Sequence, residues 1–308
     1  MNLKKLTILL IAILAVIVFS GSAFAQDDTD DLTIGIAFQQ MNNPYFVVME
    51  EAFVDAAESI GADTEVTDAQ HDVAKQVSDI EDMIQKGIDI LIINPTDTDG
   101  VESAVESAKE AGVVVVAVDA DAAGPRDAYV SSENYDAGYK AGEYMAEELD
   151  GSGKVAILNG IPTDGILDRV EGFKEAIGEH SDIEIVDDQN GKQEEAEAMT
   201  VTENMLQSNP DLDAIFSVND TGGLGCYSAI ETSGKDVFMV SIDGHPDAIE
   251  AIQEGDIFRG TVAQFPRDMI RMGLGTALAK HWGAEEVPDE IRIPVKLIND
   301  ENAEDFSW

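Results

Sequence analysis

One cysteine, Cys226, is all the thiol this chain of 308 residues has, so no disulfide can form within it. Stability must come from a buried core, and Cys226 is expected to serve as a small apolar part of it. Bases are scarce as well: 18 Lys and Arg stand against 62 Asp and Glu, a formal net charge of −44. Such a surface repels phosphate backbones and anionic lipid, which argues against nucleic acid and acidic membranes as partners. The four histidines, His71, His180, His245 and His281, are scattered without metal spacing. Asp187, Asp188, Asn190, Glu194 and Glu195 lack the alternating oxygens and fixed glycine of a calcium loop. No metal site is expected.

Cofactor motifs are missing too. Asp150-Gly151-Ser152-Gly153-Lys154-Val155 resembles a phosphate loop only superficially, because Glu148 stands in for its first glycine and Val155 for its hydroxyl. Gly222-Gly223-Leu224-Gly225 lacks the third spaced glycine of a dinucleotide site. There is no nucleophile elbow. The expectation is a binding protein without cofactor, not an enzyme.

Long apolar runs are absent after the first residues. Lys4 and Lys5, the run Leu6 to Phe19 and the small-x-small triplet Ala23-Phe24-Ala25 read as a cleaved export signal, 1–25. The run is too short to span a bilayer, and no later segment is apolar enough. No N-terminal cysteine could carry a lipid. A periplasmic protein is expected.

The acidic residues are spread along the whole chain, while apolar residues recur at helix and strand periods, so an ordered fold is expected. A surface charge of this size repels itself unless ions screen it over a few ångströms, which points to a halophilic protein.

Apolar runs 32–38, 89–93, 113–118, 155–158, 213–218, 237–242 and 258–263 read as buried parallel strands. Helical periods fall between them near 44–60, 71–86, 99–111, 133–149, 164–179, 192–208, 219–233, 246–254 and 266–281. The alternation predicts an α/β fold with parallel sheets. An irregular acidic stretch, 119–127, and a short strand at 128–130 interrupt it before a second series begins at Lys154. Two lobes follow from that seam.

The strand ends share a chemistry. Gln39-Gln40-Met41-Asn42-Asn43-Pro44-Tyr45-Phe46 follows the first strand, with Pro44 suited to a first helical turn. Asn94, Asp119, Asn219 with Asp220, Asp243 and Gln264 follow later strands. Asn and Asp favour caps and turns, so each has a structural explanation alone. Facing one crevice at the strand ends, they form a hydroxyl-gripping set, and Tyr45 and Phe46 offer flat apolar faces to a sugar.

In order and spacing, Asn42-Asn43-Pro44-Tyr45-Phe46, Ile93-Asn94-Pro95-Thr96-Asp97, Val118-Asp119, Arg169-Val170-Glu171-Gly172-Phe173, Val218-Asn219-Asp220, Ile242-Asp243-Gly244 and Val262-Ala263-Gln264 resemble the ribose-type periplasmic sugar-binding proteins of ATP-driven importers. The resemblance implies two Rossmann-like lobes joined by three crossings, 31–132 plus 265–293 and 133–264 plus 294–308, with a sugar in the cleft. It also implies ligand-facing roles for Asn43, Asn94 and Asp119 and an aromatic face from Tyr45 and Phe46. Arg169, Asn219, Asp243 and Gln264 match grips from the second lobe and hinge. Three positions depart from the ribose pattern: Ala120 follows Asp119 where an Arg is usual, Gln193 falls where an aromatic is expected, and Gln39 replaces a small hydroxyl. A site built for particular hydroxyls rejects analogues, so the exchange predicts another monosaccharide, a cyclitol or a sugar alcohol.

The implied partners are membrane permease subunits, with the protein itself a monomer. The alternative is a receptor that presents its ligand to a chemotaxis or sensor-kinase partner. The charge yields a first prediction: the thermal midpoint climbs steadily from dilute to molar salt, and a flat melting response across that range contradicts the halophilic reading.

Overall fold

The computed structural model describes residues 32–308; the segment read as an export signal lies outside the described residues. The described residues form two six-stranded sheets flanked by nine α-helices. The first sheet holds β1 (Thr33–Phe38), β2 (Asp63–Asp68), β3 (Ile90–Ile93), β4 (Val114–Val118), β5 (Ala128–Ser132) and β11 (Glu290–Ile293), in the order β11-β5-β4-β3-β1-β2. The second holds β6 (Ser152–Asn159), β7 (Asp182–Asn190), β8 (Ala214–Ser217), β9 (Phe238–Asp243), β10 (Phe258–Ala263) and β12 (Lys296–Asn299), in the matching order β12-β10-β9-β8-β6-β7.

Each sheet is covered on both faces, which is why its central strands read as unbroken apolar runs. In β1, Ile34, Ile36 and Phe38 point into one core with α1 (Pro44–Ser59) and α9 (Pro266–His281). Ala37 points the other way, toward α2 (Val73–Lys86) and α3 (Glu102–Glu110). The second sheet repeats the plan, with α4 (Asn134–Glu148) and α5 (Asp164–Gly178) on one face. On its other face lie α6 (Glu195–Ser208), α7 (Asp220–Ser233) and α8 (Pro246–Glu254). Cys226 is buried in that last core.

Among the described residues the chain passes between the sheets three times: from β5 into α4, from β10 into α9, and from β11 into β12. The sheets are parallel, as expected, except at the last crossing, where β12 pairs antiparallel with β10. The reason is geometric. The carboxyl ends of both sheets face each other, so a strand leaving one sheet directly enters the other from its carboxyl end and runs backwards. The first two crossings avoid this by turning into a helix.

Sequence reading passed over β2, β7, β11 and β12. In the first sheet β11 and β2 are the edges, and in the second β12 and β7. Edge strands bury less: no residue of Asp63–Asp68 is fully buried, and Asp182–Asn190 carries four acidic residues. Their sequences therefore lack the apolar run that marks a central strand.

The two helices α4 and α5 meet backbone to backbone. A Cβ on Gly172 would lie 2.1 Å from the Tyr135 carbonyl oxygen, and one on Gly138 would lie 1.8 Å from that of Arg169. Only glycine fits at these crossings, and Gly138 thereby sets the height of Arg169. Gly172→Ala should destabilise the protein by about 3 kcal/mol or more, since backbone rather than a side chain must move. An unshifted urea midpoint in this variant rules out the close approach.

Candidate functional site

The site grows from the strand ends. Asn43 caps α1, its Oδ1 accepting from the Tyr45 amide at 2.9 Å, and this places Tyr45 at the mouth between the sheets. Asn94 is fully buried just past β3; its Oδ1 accepts from the Gln39 amide at 3.4 Å, linking the ends of β1 and β3 where the sheet order reverses. Such reversal points are where open α/β sheets form crevices. From β4, Asp119 follows with φ +68, and from β9 Asp243 closes the strand with φ +146. Left-handed backbone at a non-glycine residue costs about 1–3 kcal/mol and is kept where surrounding contacts enforce it.

These ends are linked across the sheets. Asn94 Nδ2 donates to Asp119 Oδ2 at 3.2 Å. The Tyr45 hydroxyl lies 3.3 Å from Asp119 Oδ1 and 3.5 Å from Gln264 Oε1, and can donate to either. Gln264 Nε2 donates to Asp243 Oδ1 at 2.7 Å, and Arg169 Nη1 donates to the same oxygen at 3.3 Å. Arg169 is further held by Nη1 on the Val218 carbonyl and by Nε on Asn134 Oδ1, both at 2.8 Å. Six of the eleven residues singled out from sequence thus share one network through their side chains: Tyr45, Asn94, Asp119, Arg169, Asp243 and Gln264.

The remaining five have local partners or core positions. Gln39 joins only through its backbone amide. Asn43 spends its side-chain oxygen on the α1 cap. Asn219, buried, caps α7 by accepting from Gly222 N at 3.1 Å. Gln193 accepts from the Ile161 amide at 3.0 Å and ties two loops of the second lobe. Phe46 packs in the first core with Phe38, ring centroids 6.3 Å apart.

Several supporting residues escaped sequence reading. Gln76 is buried on the apolar stripe of α2, donating to the Ala37 and Asn94 carbonyls and accepting from Thr96 N. A lone amide among Val73, Ile80 and Met83 was the available signal. Asn134, at the start of α4, orients Arg169; its place at the hinge gave no hint of that partner. Asp220, which the sequence did place beside Asn219 at its strand end, is fully buried and accepts from Ser241, Thr261, Gly244 N and His245 N. Tyr129 donates its hydroxyl to the Asp119 carbonyl at 3.1 Å, under a ring flanked by Arg126 and Arg292.

Two carboxylates and one guanidinium meet here. Burial pushes Asp119 up to about 6; the Arg169 charge opposes this and that of Asp243 adds to it. Asp243 is likewise pushed up to about 6 by burial, against Arg169 and with Asp220. Burial raises Tyr45 well above its ordinary range, and the Asp119 and Asp243 charges add to it. Chemically the set offers carboxylate acceptors, a planar fork of donors and amides that do both, which suits a small molecule rich in hydroxyls. A separate hollow of about 350 Å³ on the outside of the second lobe, between α6 and α7, shares no residue with this network.

The model of the periplasmic binding protein domain matches residues 34–283. The chain belongs to that family. It is 38% identical over 269 residues to the ribose import binding protein RbsB of Bacillus subtilis, covering 87% of each chain. Among solved structures it resembles a solute-binding protein of an ABC transporter from Actinobacillus succinogenes with bound D-allose, at 28% identity and a TM-score of 0.83, over 89% of this chain and all of that one. A solute-binding protein from Bacillus halodurans with bound myo-inositol is similar at 29% identity and a TM-score of 0.81, over 90% and 96%. The family comprises sugar- and polyol-binding, non-enzymatic components of ABC transporters, and this chain has its two-lobed α/β fold.

The raised carboxylates carry a pH prediction. An unfolded aspartate titrates near 3.8, so between about pH 4 and 6 the folded protein holds protons that the unfolded chain has released. The stability this contributes is complete below about pH 4 and lost as the pH rises through 6. Asp119→Asn should therefore flatten the fall of urea stability across that window relative to the parent. Superimposable slopes exclude a shifted Asp119.

Proposed function

We propose that this protein is the periplasmic solute-binding component of an ABC importer for a neutral monosaccharide, cyclitol or sugar alcohol other than ribose. The observation that carries this reading is the hydrogen-bond network Asn94–Asp119–Tyr45–Gln264–Asp243–Arg169, which draws on the strand ends of both sheets. A ligand's hydroxyls replace partners within that network, with Asp119 and Asp243 accepting, Arg169 donating and Tyr45 supplying an apolar face. Gln39, Asn43, Phe46, Gln193 and Asn219 complete the walls. Two acids against one base disfavour sugar acids and sugar phosphates, whose charge would add to theirs.

The lobes, 31–132 with 265–293 and 133–264 with 294–308, close on the ligand about the three crossings. Closure follows from contacts that only the closed form makes to both lobes at once. A monomer in that form then docks on membrane permease subunits. The export signal at 1–25 delivers it, and the acidic surface suits a salt-rich setting.

A melting-shift screen of D-allose, myo-inositol, xylitol, D-ribose and related pentoses and hexoses, run in high salt, tests the reading. A bound sugar at a hundred times its dissociation constant stabilises by about 2.7 kcal/mol. Asp119→Ala should weaken binding about 10- to 100-fold, the worth of hydrogen bonds to a charged group, and erase about half or more of that shift. A full shift in Asp119→Ala removes this aspartate from the site, and no shift with any sugar defeats the proposal.

A further inference from the structure

Beyond β12 the chain turns back toward the strand-end network. Ala303 is buried in the core shared by α6, α7 and α8, and Phe306 packs over Gly244 and edge-on to Phe265 at 6.3 Å. This segment is therefore anchored on the second lobe. Trp308 leaves it and packs against the core cluster of the first. Its indole meets the Tyr45 ring edge-on at 5.7 Å and the His245 ring at 5.8 Å, so it lies between one residue of each lobe.

The indole also holds the binding loop. Trp308 Nε1 donates to the Asp243 carbonyl at 3.1 Å, which the Gln264 amide also reaches at 2.9 Å. Asp243 has φ +146, a conformation that needs such support in a residue with a side chain. Turning that peptide would move the carboxylate that receives Gln264 and Arg169, and disturb Gly244 N and His245 N, which both donate to Asp220.

We infer that Trp308 is a positioning residue of the crevice and ties the lobes together: its N–H fixes the Asp243 turn while its ring bears on Tyr45. The contact lies beside the β10-to-α9 crossing and is held with and without sugar; by bridging the lobes it slows their separation once sugar is bound, so the effect falls on ligand dissociation. That kinetic part rests on the sugar-binding reading; the contact itself does not.

The chain has two tryptophans, and Trp282 is 57% exposed at the far end of α9. In Trp282→Phe, emission therefore reports Trp308 alone. Without sugar, acrylamide should quench it weakly, and adding Tyr45→Ala or Tyr45→Leu on the opposite lobe should at least double the quenching constant. Trp308→Phe keeps a ring but loses the N–H. For whichever of D-allose, myo-inositol, xylitol or D-ribose gives the largest melting shift, it should speed dissociation about fivefold, the worth of one net hydrogen bond, and leave association unchanged. Quenching indifferent to both Tyr45 variants, or a dissociation rate unchanged in Trp308→Phe, overturns the inference. Should no sugar shift the parent's melting, the sugar reading fails while the quenching comparison still decides where Trp308 sits.

Discussion

Two aspartates at facing strand ends, Asp119 half-buried and Asp243 buried, set the terms for the rest of this molecule. Asp119 and Asp243 both stand in left-handed backbone conformations, and both lie where burial opposes their charge. Neither is tolerable without partners. Asn94 and Tyr45 serve the first, and Gln264 and Arg169 serve the second. Behind them stands further support: Gln76 locks the turn that carries Asn94, and Asn134 aims Arg169. The requirement to satisfy two carboxylates accounts for more of the buried polar residues than any other feature.

Packing far from the crevice feeds into it. The glycines at the α4–α5 crossing let two backbones touch, and one of those contacts is with the Arg169 carbonyl. The position of the one guanidinium in the network therefore depends on a helix–helix distance that no larger side chain would permit. The doubled sheet order has a similar consequence. Each sheet reverses direction beside its first strand, and each reversal places polar turns at the carboxyl ends. Setting two such sheets face to face makes a polar crevice between apolar cores.

Much of this was legible beforehand because parallel central strands bury both faces. Runs such as Ile90–Ile93 and Val114–Val118 can be little else in a chain that alternates with helical periods. Edge strands carry no such mark, and β12 runs against its sheet for a reason that lies in the connection rather than in Lys296–Asn299 itself. Among candidate site residues, Asn43 and Asn219 illustrate the limit of composition. Their amides cap helices, as the plainest reading of Asn before a helix requires.

From its residues alone the chain determined the α/β alternation, an acidic surface, a core without disulfides and a set of amide and carboxylate side chains at strand ends. These follow from local period and from chemistry that each residue carries wherever it lies. Only the tertiary structure decided which of those side chains meet. Tyr45 and Gln264 are 219 positions apart, and Asp243 finds Trp308 across another 65. Partnership over such separations depends on how two sheets turn toward each other, and no local pattern in the sequence encodes that angle.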